Sequence, residues 1–232
     1  MEKLKLTPRL LKVAELVEGN TVADIGTDHG KLLIYLCQSE KTEAGIGSDV
    51  AEGPASACRK NVALYGLSDK IEIRVGDGLA TISEGEVESI VIAGMGGELI
   101  LKILSDNLSV ALSAKELIVQ PMTNISRFLK GITALGLSVC EAHIVPEKDK
   151  LYQIFKLKKG VSNHLKSVDF VICPEHIKAN SPYLAELLRR EIKKYKMQRD
   201  GILNGASFDE NTVSELDAII KELEKYETEQ NY

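Results

Sequence analysis

The chain has 232 residues, of which 44% are apolar and 27% charged, with a net charge of −5. That balance excludes a disordered or collagen-like chain and allows one full domain plus a remainder, or two small domains. There is no run of about 18 apolar residues to span a bilayer. The first residues, MEKLKLTPRLLK, are charged rather than signal-like, so neither membrane nor secretion is expected and the cytoplasm is the expected location. Cys37, Cys58, Cys140 and Cys173 are widely spaced and form no Cys-x-x-Cys pair, so they read as reduced thiols and mostly core filler.

In chain order, Thr7-Pro8 reads as a helix start, with Thr as N-cap and Pro at the first helical position, and Gly19 as its end. A short strand, Thr21–Asp24, leads into a glycine-containing turn and a helix to about Cys37. A strand over Ala44–Asp49 precedes a helix over Pro54–Tyr65, and Ile71–Val75 alternates as a strand. Ser89–Ala93 is an apolar strand that runs into Gly94-Met95-Gly96-Gly97 and a helix to Leu104. Leu117–Val119 is the next strand, with a helix to about Leu135. Ser138–Val145 and Leu151–Leu157 follow as strands joined by the charged loop PEKDK. Helical patterns cover 182–200, closed by Gly201, and 212–228, with the link GILNGAS between them.

Strands alternating with helices predict a parallel sheet covered on both faces. The last two strands have too short a link to be parallel. A mostly parallel α/β sheet closed by an antiparallel strand near its C-terminal end is the order of a class I methyltransferase, Rossmann-like sheet. The expected domains are residues 1–160, carrying that sheet, and 161–232, a coiled-coil-like helical hairpin.

Ligands of open α/β sheets bind at the carboxyl ends of the strands, so four turns are candidates. Gly26 and Gly30 let backbone approach a ligand after the first strand, beside Asp24, Thr27, Asp28 and His29. Asp49, followed by Val50, can accept from both hydroxyls of a ribose. Asp77, followed by Gly78, can accept from an adenine amine. Ala93, Gly94 and Met95 end the fourth strand. A pyrophosphate at the first turn would meet the like charge of Asp28; a sulfonium cation suits that carboxylate better. The rival, a dinucleotide at Gly94-Met95-Gly96-Gly97, lacks the third glycine, where Leu99 stands, and lacks an acid ending the next strand, which reads Gln120-Pro121. The plainer readings are a helix cap for Asp28 and a structural histidine for His29.

These segments carry a resemblance. Asp24-Ile25-Gly26-Thr27-Asp28-His29-Gly30 together with Ile92-Ala93-Gly94-Met95-Gly96-Gly97, supported by Arg74–Leu79 and Val119-Gln120-Pro121, resemble the TrmK family of bacterial tRNA (adenine(22)-N1)-methyltransferases. The likeness runs from Leu6 to about Leu157, and reaches the helical tail in layout only. It implies S-adenosyl-L-methionine as cofactor, tRNA as substrate, and attack of adenine N1 on the methyl carbon. Asp28 would stabilise the positive charge of the product base, with His29 as proton carrier or hydrogen-bond partner. RNA contact would fall on Lys5, Arg9 and Lys12, grouped with Lys3 on the first helix, and on Arg189, Arg190, Lys193, Lys194 and Lys196. Those five lie in the run 189–199, with six basic residues and one acidic; a solvated helix face is its plainer reading. His143, His164 and His176 lack partners at metal-ligand spacing, so no metal site is expected, nor an obligate protein partner. A small-molecule methyltransferase and a non-catalytic RNA-binding protein on the same fold are the alternatives.

Overall fold

The computed structural model describes residues 4–160, 165–205 and 209–230. Lys3 and His164, and Ala206 and Ser207 of the expected inter-helix link, lie outside the described residues, and the expected boundary at 160/161 adjoins them. The chain divides into two compact units, residues 1–162 and 163–232. Among the described residues no helix is long and apolar enough to cross a membrane.

The first unit runs α1 (Pro8–Leu16), β1 (Thr21–Ile25), α2 (Lys31–Gln38), β2 (Ala44–Asp49), α3 (Glu52–Leu64) and β3 (Ile71–Val75). A single 3-10 turn, Gly78–Thr81, leads to β4 (Ser89–Met95), α4 (Gly97–Asp106), α5 (Leu108–Ser113) and β5 (Glu116–Pro121). It ends with α6 (Ile125–Ala134), β6 (Leu137–Glu147) and β7 (Lys150–Lys159). The seven strands form one sheet in the order β3-β2-β1-β4-β5-β7-β6. Neighbours among β1 to β5 are parallel, and β7 is antiparallel to both β5 and β6. The class I sheet expected from the strand pattern is therefore present.

The reason is visible in the central strands. Ile90, Val91 and Ile92 of β4 and every residue of β5 are buried, as a strand covered on both faces requires. On one face Phe128 of α6 meets Phe155 of β7, with ring centroids 6.0 Å apart.

Four local expectations are corrected. The α1 helix stops at Leu16, with Val17 already extended. Gly19 serves packing instead, since a Cβ there would collide with the Ser89 hydroxyl. PEKDK is not a loop: Pro146 pairs with Leu151 and Glu147 with Lys150. That leaves a two-residue turn whose first residue, Lys148, has φ +55°. Pro146 is tolerated because β6 is an edge strand, where a missing N–H need not break a ladder. The short helix α5 was also not anticipated.

The second unit holds a 3-10 turn (Ser167–Phe170), α7 (Pro174–Ala179), α8 (Leu184–Leu203) and α9 (Glu210–Glu229). Leu184, Leu187, Leu188, Ile192 and Tyr195 of α8 and Leu216, Ile220 and Leu223 of α9 are buried. Their spacing of three and four residues is a coiled-coil seam, and the two helices pack on each other. Asp209 caps α9 by accepting from the Asn211 amide at 3.2 Å. The fourth correction is that Gly201 lies inside α8. It faces open space, so its missing side chain forfeits no contact.

Candidate active site

The parallel register brings the ends of four strands together. Ile25 pairs with Ser48 on one side and Ile92 on the other, and Asp49 pairs with Val75. The turns after β1, β2, β3 and β4 therefore share one edge of the sheet.

The first of them is tightly held. Gly26 and Gly30 have φ +74° and +67°, a region that costs other residues strain. An added Cβ on Gly26 would overlap the Met95 methyl, and one on Gly30 would press on Cys58 Sγ. The amides of Gly26 and Thr27 donate to the Ser48 carbonyl at 2.8 and 3.0 Å. The Asn61 amide donates to the His29 carbonyl at 3.1 Å. His29 itself sits at φ +57°, a strained position for a non-glycine residue that such anchoring enforces.

Asp28 Oδ1 lies 3.2 Å from His29 Nε2, and both side chains are solvent-exposed. The N-cap of α2 is Gly30, with no side-chain cap bond. Asp28 is thus not spent on capping, and it is free to face a ligand. Below it, Asp24 is buried, and its pKa is pushed up to about 6 by that burial, with the charge of Asp28 adding to the effect.

At the end of β2, Asp49 Oδ1 accepts from the Ala51 amide at 3.0 Å, which fixes the carboxylate beside Val50. Val50 is 72% exposed, an apolar surface with no protein to cover it. After β3, Asp77 is exposed and lies 3.9 Å from Lys102 Nζ, with Gly78 at φ +54° turning the chain. After β4 the chain bulges between Ala93 and Met95, with Gly94 at φ +81°. The Met122 amide donates to the Met95 carbonyl at 2.7 Å, so the turns after β4 and β5 are joined.

The edge therefore carries four carboxyl groups, Asp24, Asp28, Asp49 and Asp77, above two glycine turns. That set suits a ligand with a cationic group and a vicinal diol, and it repels a polyphosphate.

The structure brings all the candidate cofactor and catalytic residues to this edge. The basic candidates fare differently. Lys5 precedes α1 and is exposed, and Lys12 pairs with Glu15 at 2.6 Å. Arg9 does not project from α1 into solvent; its guanidinium lies over the Tyr152 ring, 5.4 Å from the centroid. On α8, Arg189, Arg190, Lys194 and Lys196 pair with Glu227, Glu186, Glu191 and Glu224. Gln120, which lies near this edge at the end of β5, was not among the candidates. It is wholly buried and donates to the Pro121 carbonyl at 2.9 Å. An amide ending an otherwise apolar strand must find buried partners, and that was the available signal.

Three comparisons bear on this arrangement. Residues 6–155 match the family model described as a methyltransferase domain. The tRNA (adenine(22)-N(1))-methyltransferase of Bacillus subtilis (strain 168) is 34% identical over 161 residues, covering 69% of this chain and 68% of that protein. The crystal structure of the B. subtilis M1A22 tRNA methyltransferase TrmK superposes with a TM-score of 0.86 at 27% identity, covering 97% of this chain and 99% of that one. M. capricolum TrmK, solved in complex with S-adenosyl-homocysteine, gives a TM-score of 0.77 at 26% identity over 96% of this chain and 98% of that one. With four anionic groups at one sheet edge, a matched methyltransferase domain and a relative this similar, the chain belongs to the TrmK family of tRNA (adenine(22)-N1)-methyltransferases.

Proposed function

We propose that this chain is an S-adenosyl-L-methionine-dependent methyltransferase acting on N1 of adenine 22 in tRNA, the activity named for its B. subtilis relative. The observation that carries the proposal is the convergence of Asp24, Asp28, Asp49 and Asp77 on glycine turns at one sheet edge. When bound, S-adenosyl-L-methionine supplies a methyl group on a cationic sulfur for adenine N1 to take.

The residues of the chain divide the remaining work. Gly26, Thr27 and Gly30 form the backbone floor, with the buried Asp24 as acceptor for an ammonium group. Asp49 accepts from the ribose hydroxyls, and the exposed Val50 covers one face of the cofactor base. Asp77 and the Gly78 backbone address the edge of that base. Ala93, Gly94 and Met95 wall the side from which the acceptor enters. N1 carries its own lone pair, so no strong base is required for attack. The exposed Asp28 carboxylate offsets the positive charge that the adenine acquires. His29, 3.2 Å from it, holds that carboxylate in place and offers a hydrogen bond to the base.

tRNA is the proposed partner, met by Lys5, Arg9 and Lys12 in the first unit and by Arg189, Arg190, Lys193, Lys194 and Lys196 in the second. Phosphate contacts of this kind carry little sequence information, so the choice of tRNA rests on shape and on the target base. The cytoplasm is the proposed place of action, with neither a membrane nor an obligate protein partner.

The deciding experiment is transfer of labelled methyl to an unmodified tRNA transcript with adenine at the target position, beside one with guanine there. Label on the first alone, mapped to N1, is the expected result. Label on neither, with S-adenosyl-L-methionine binding intact, would shift the reading to a small-molecule methyltransferase.

A further inference from the structure

Among the described residues, four of the exposed large apolar side chains gather at the carboxyl edge of the sheet: Val50, Val75, Leu99 and Met122. Three of them belong to one end of it. Val50 follows Asp49, and Val75 ends β3 just before Asp77. Leu99 lies one helical turn from Ile103, on which an added Cβ at Gly78 would press. Met122 stands apart, past the end of β5, and β4 separates β5 from β1, β2 and β3.

A single exposed methionine would ordinarily call for no explanation, but this one is fastened. Its amide donates to the Met95 carbonyl at 2.7 Å, and its sulfur lies 3.5 Å from Gln120 Nε2. Gln120 is wholly buried. Its Nε2 also donates to the Pro121 carbonyl at 2.9 Å, and its Oε1 accepts from the Gly94 amide at 3.2 Å and from Arg9 Nη1 at 2.6 Å. With both ends engaged, the amide cannot flip. The thioether is therefore tied, through one rigid side chain and one backbone bond, to the turn after β4. It remains 38% exposed, so apolar surface is offered at a fixed place beside that turn.

The occupant follows from the order of the strands. In the functional reading above, the ends of β2 and β3 take the ribose and base of the cofactor. An acceptor for the methyl group must then approach from the opposite direction, past β4, which is where Met122 stands. A base drawn out of an RNA stack loses its neighbours and needs a replacement surface, usually an aromatic ring. Tyr152 of the adjoining β7 is already covered by the Arg9 guanidinium. A thioether is polarizable and packs well on aromatic faces. Being uncharged, it does not oppose the positive charge that N1 methylation places on the ring.

We propose that Met122 is the platform for the target adenine, its thioether lying against one face of the extruded base. This inference rests on the tRNA-methyltransferase reading and names the residue that receives the base.

The test compares wild type, Met122→Ala, Met122→Gln and Met122→Leu. Each is assayed for S-adenosyl-L-methionine affinity, for tRNA affinity as a function of salt, and for methyl transfer at saturating substrates. A tRNA with 2-aminopurine at the target position reports extrusion by a rise in fluorescence, read with S-adenosyl-homocysteine so that no turnover occurs. Met122→Ala should lower kcat about fivefold and reduce the fluorescence rise. Cofactor affinity and the salt slope of tRNA affinity should match wild type, because no phosphate contact is lost. Met122→Gln keeps the side-chain length but replaces the thioether with a polar amide. It should fall with Met122→Ala, so the idea stays testable if truncation disturbs the turn. Met122→Leu keeps an apolar group of similar volume and should recover most of both signals. Wild-type kcat and fluorescence in Met122→Ala and Met122→Gln would overturn the assignment. So would a parallel fall in cofactor affinity, which would make Met122 a wall for the cofactor. A lowered kcat with a full fluorescence rise would also overturn it, as the mark of a merely structural role. An inactive wild type would instead sink the underlying functional reading, and this inference with it.

Discussion

Two aspartates four residues apart have opposite surroundings, and their behaviour should differ accordingly. Asp28 is exposed at the mouth of the cleft and contributes to no helix cap. Asp28→Ala should therefore leave the melting temperature close to wild type and lower methyl transfer roughly 100-fold. The rate at saturating substrates, measured beside cofactor affinity, separates that from a binding defect. Asp24 is buried, and its pKa is raised to about 6. A carboxyl group with a folded pKa above its unfolded value of 3.8 stabilises the fold fully only below that value, and the stability is lost as pH rises through about 6. The difference corresponds to about 3 kcal/mol of penalty at neutral pH. Asp24→Asn should accordingly unfold at higher denaturant than wild type at about pH 8 and nearly with it at about pH 4. It should also lose most of the thermal stabilisation that added S-adenosyl-L-methionine confers. Together those results would show a charge retained for its ligand at the expense of stability.

Among elements, the junction at the amino ends of β4 and β5 has the reverse character. Glu116 opens β5 and is buried. Its carboxylate accepts from the amides of Glu18 and Gly19, from the Ser89 hydroxyl at 2.6 Å and from Lys156 Nζ at 2.5 Å. Burial alone would raise its pKa, but Lys156, Ser89 and the Glu18 amide overcome that and hold it well below the usual carboxylate range. A depressed folded pKa contributes stability that is present above the unfolded value of 4.5 and is lost as pH falls. Glu116→Gln removes the charge, leaves Lys156 with only the more exposed Glu18, 3.3 Å away, and weakens the link between α1 and β1. It should cost about 3 kcal/mol in denaturant unfolding at neutral pH, with the gap from wild type narrowing as pH falls below about 4.5. A gap of constant size across that range would mean that the network acts through shape alone. The charged anchor ties α1, β4, β5 and β7 at the end of the sheet opposite the site.

For the whole molecule, a net charge of −5 leaves RNA attraction to local groups. The described α8 cations are mostly answered by acids, from α9 in the case of Arg189 and Lys196. Exposed pairs of this kind are worth about 1 kcal/mol or less, so a phosphate can displace the glutamate. Lys193 is exposed, and no ion pair binds it among the described residues. Lys193→Glu should weaken tRNA binding several-fold at low salt, by an amount that shrinks as salt rises. It should leave cofactor affinity and melting temperature unchanged. Unaltered tRNA affinity at low salt would place the RNA on another face of the hairpin.

The sheet, its antiparallel closing strand and the helical hairpin were all legible from alternation, glycine turns and heptad spacing, because those patterns record which face of an element is buried. The carboxylates of the cleft were legible for a related reason: each stands at or just past the carboxyl end of a strand, and in a parallel sheet strand ends share one edge. What sequence could not order was anything set by packing between distant segments. Gly19 looks like a helix stop and is a contact with Ser89; PEKDK looks like a loop and is paired strand; Gly201 looks like a terminator and is helix. Arg9 is the clearest case. On its own segment it is one more surface cation, and only the fold, by laying α1 across the ends of β5 and β7, places it on Gln120 and Tyr152 and gives it a direction.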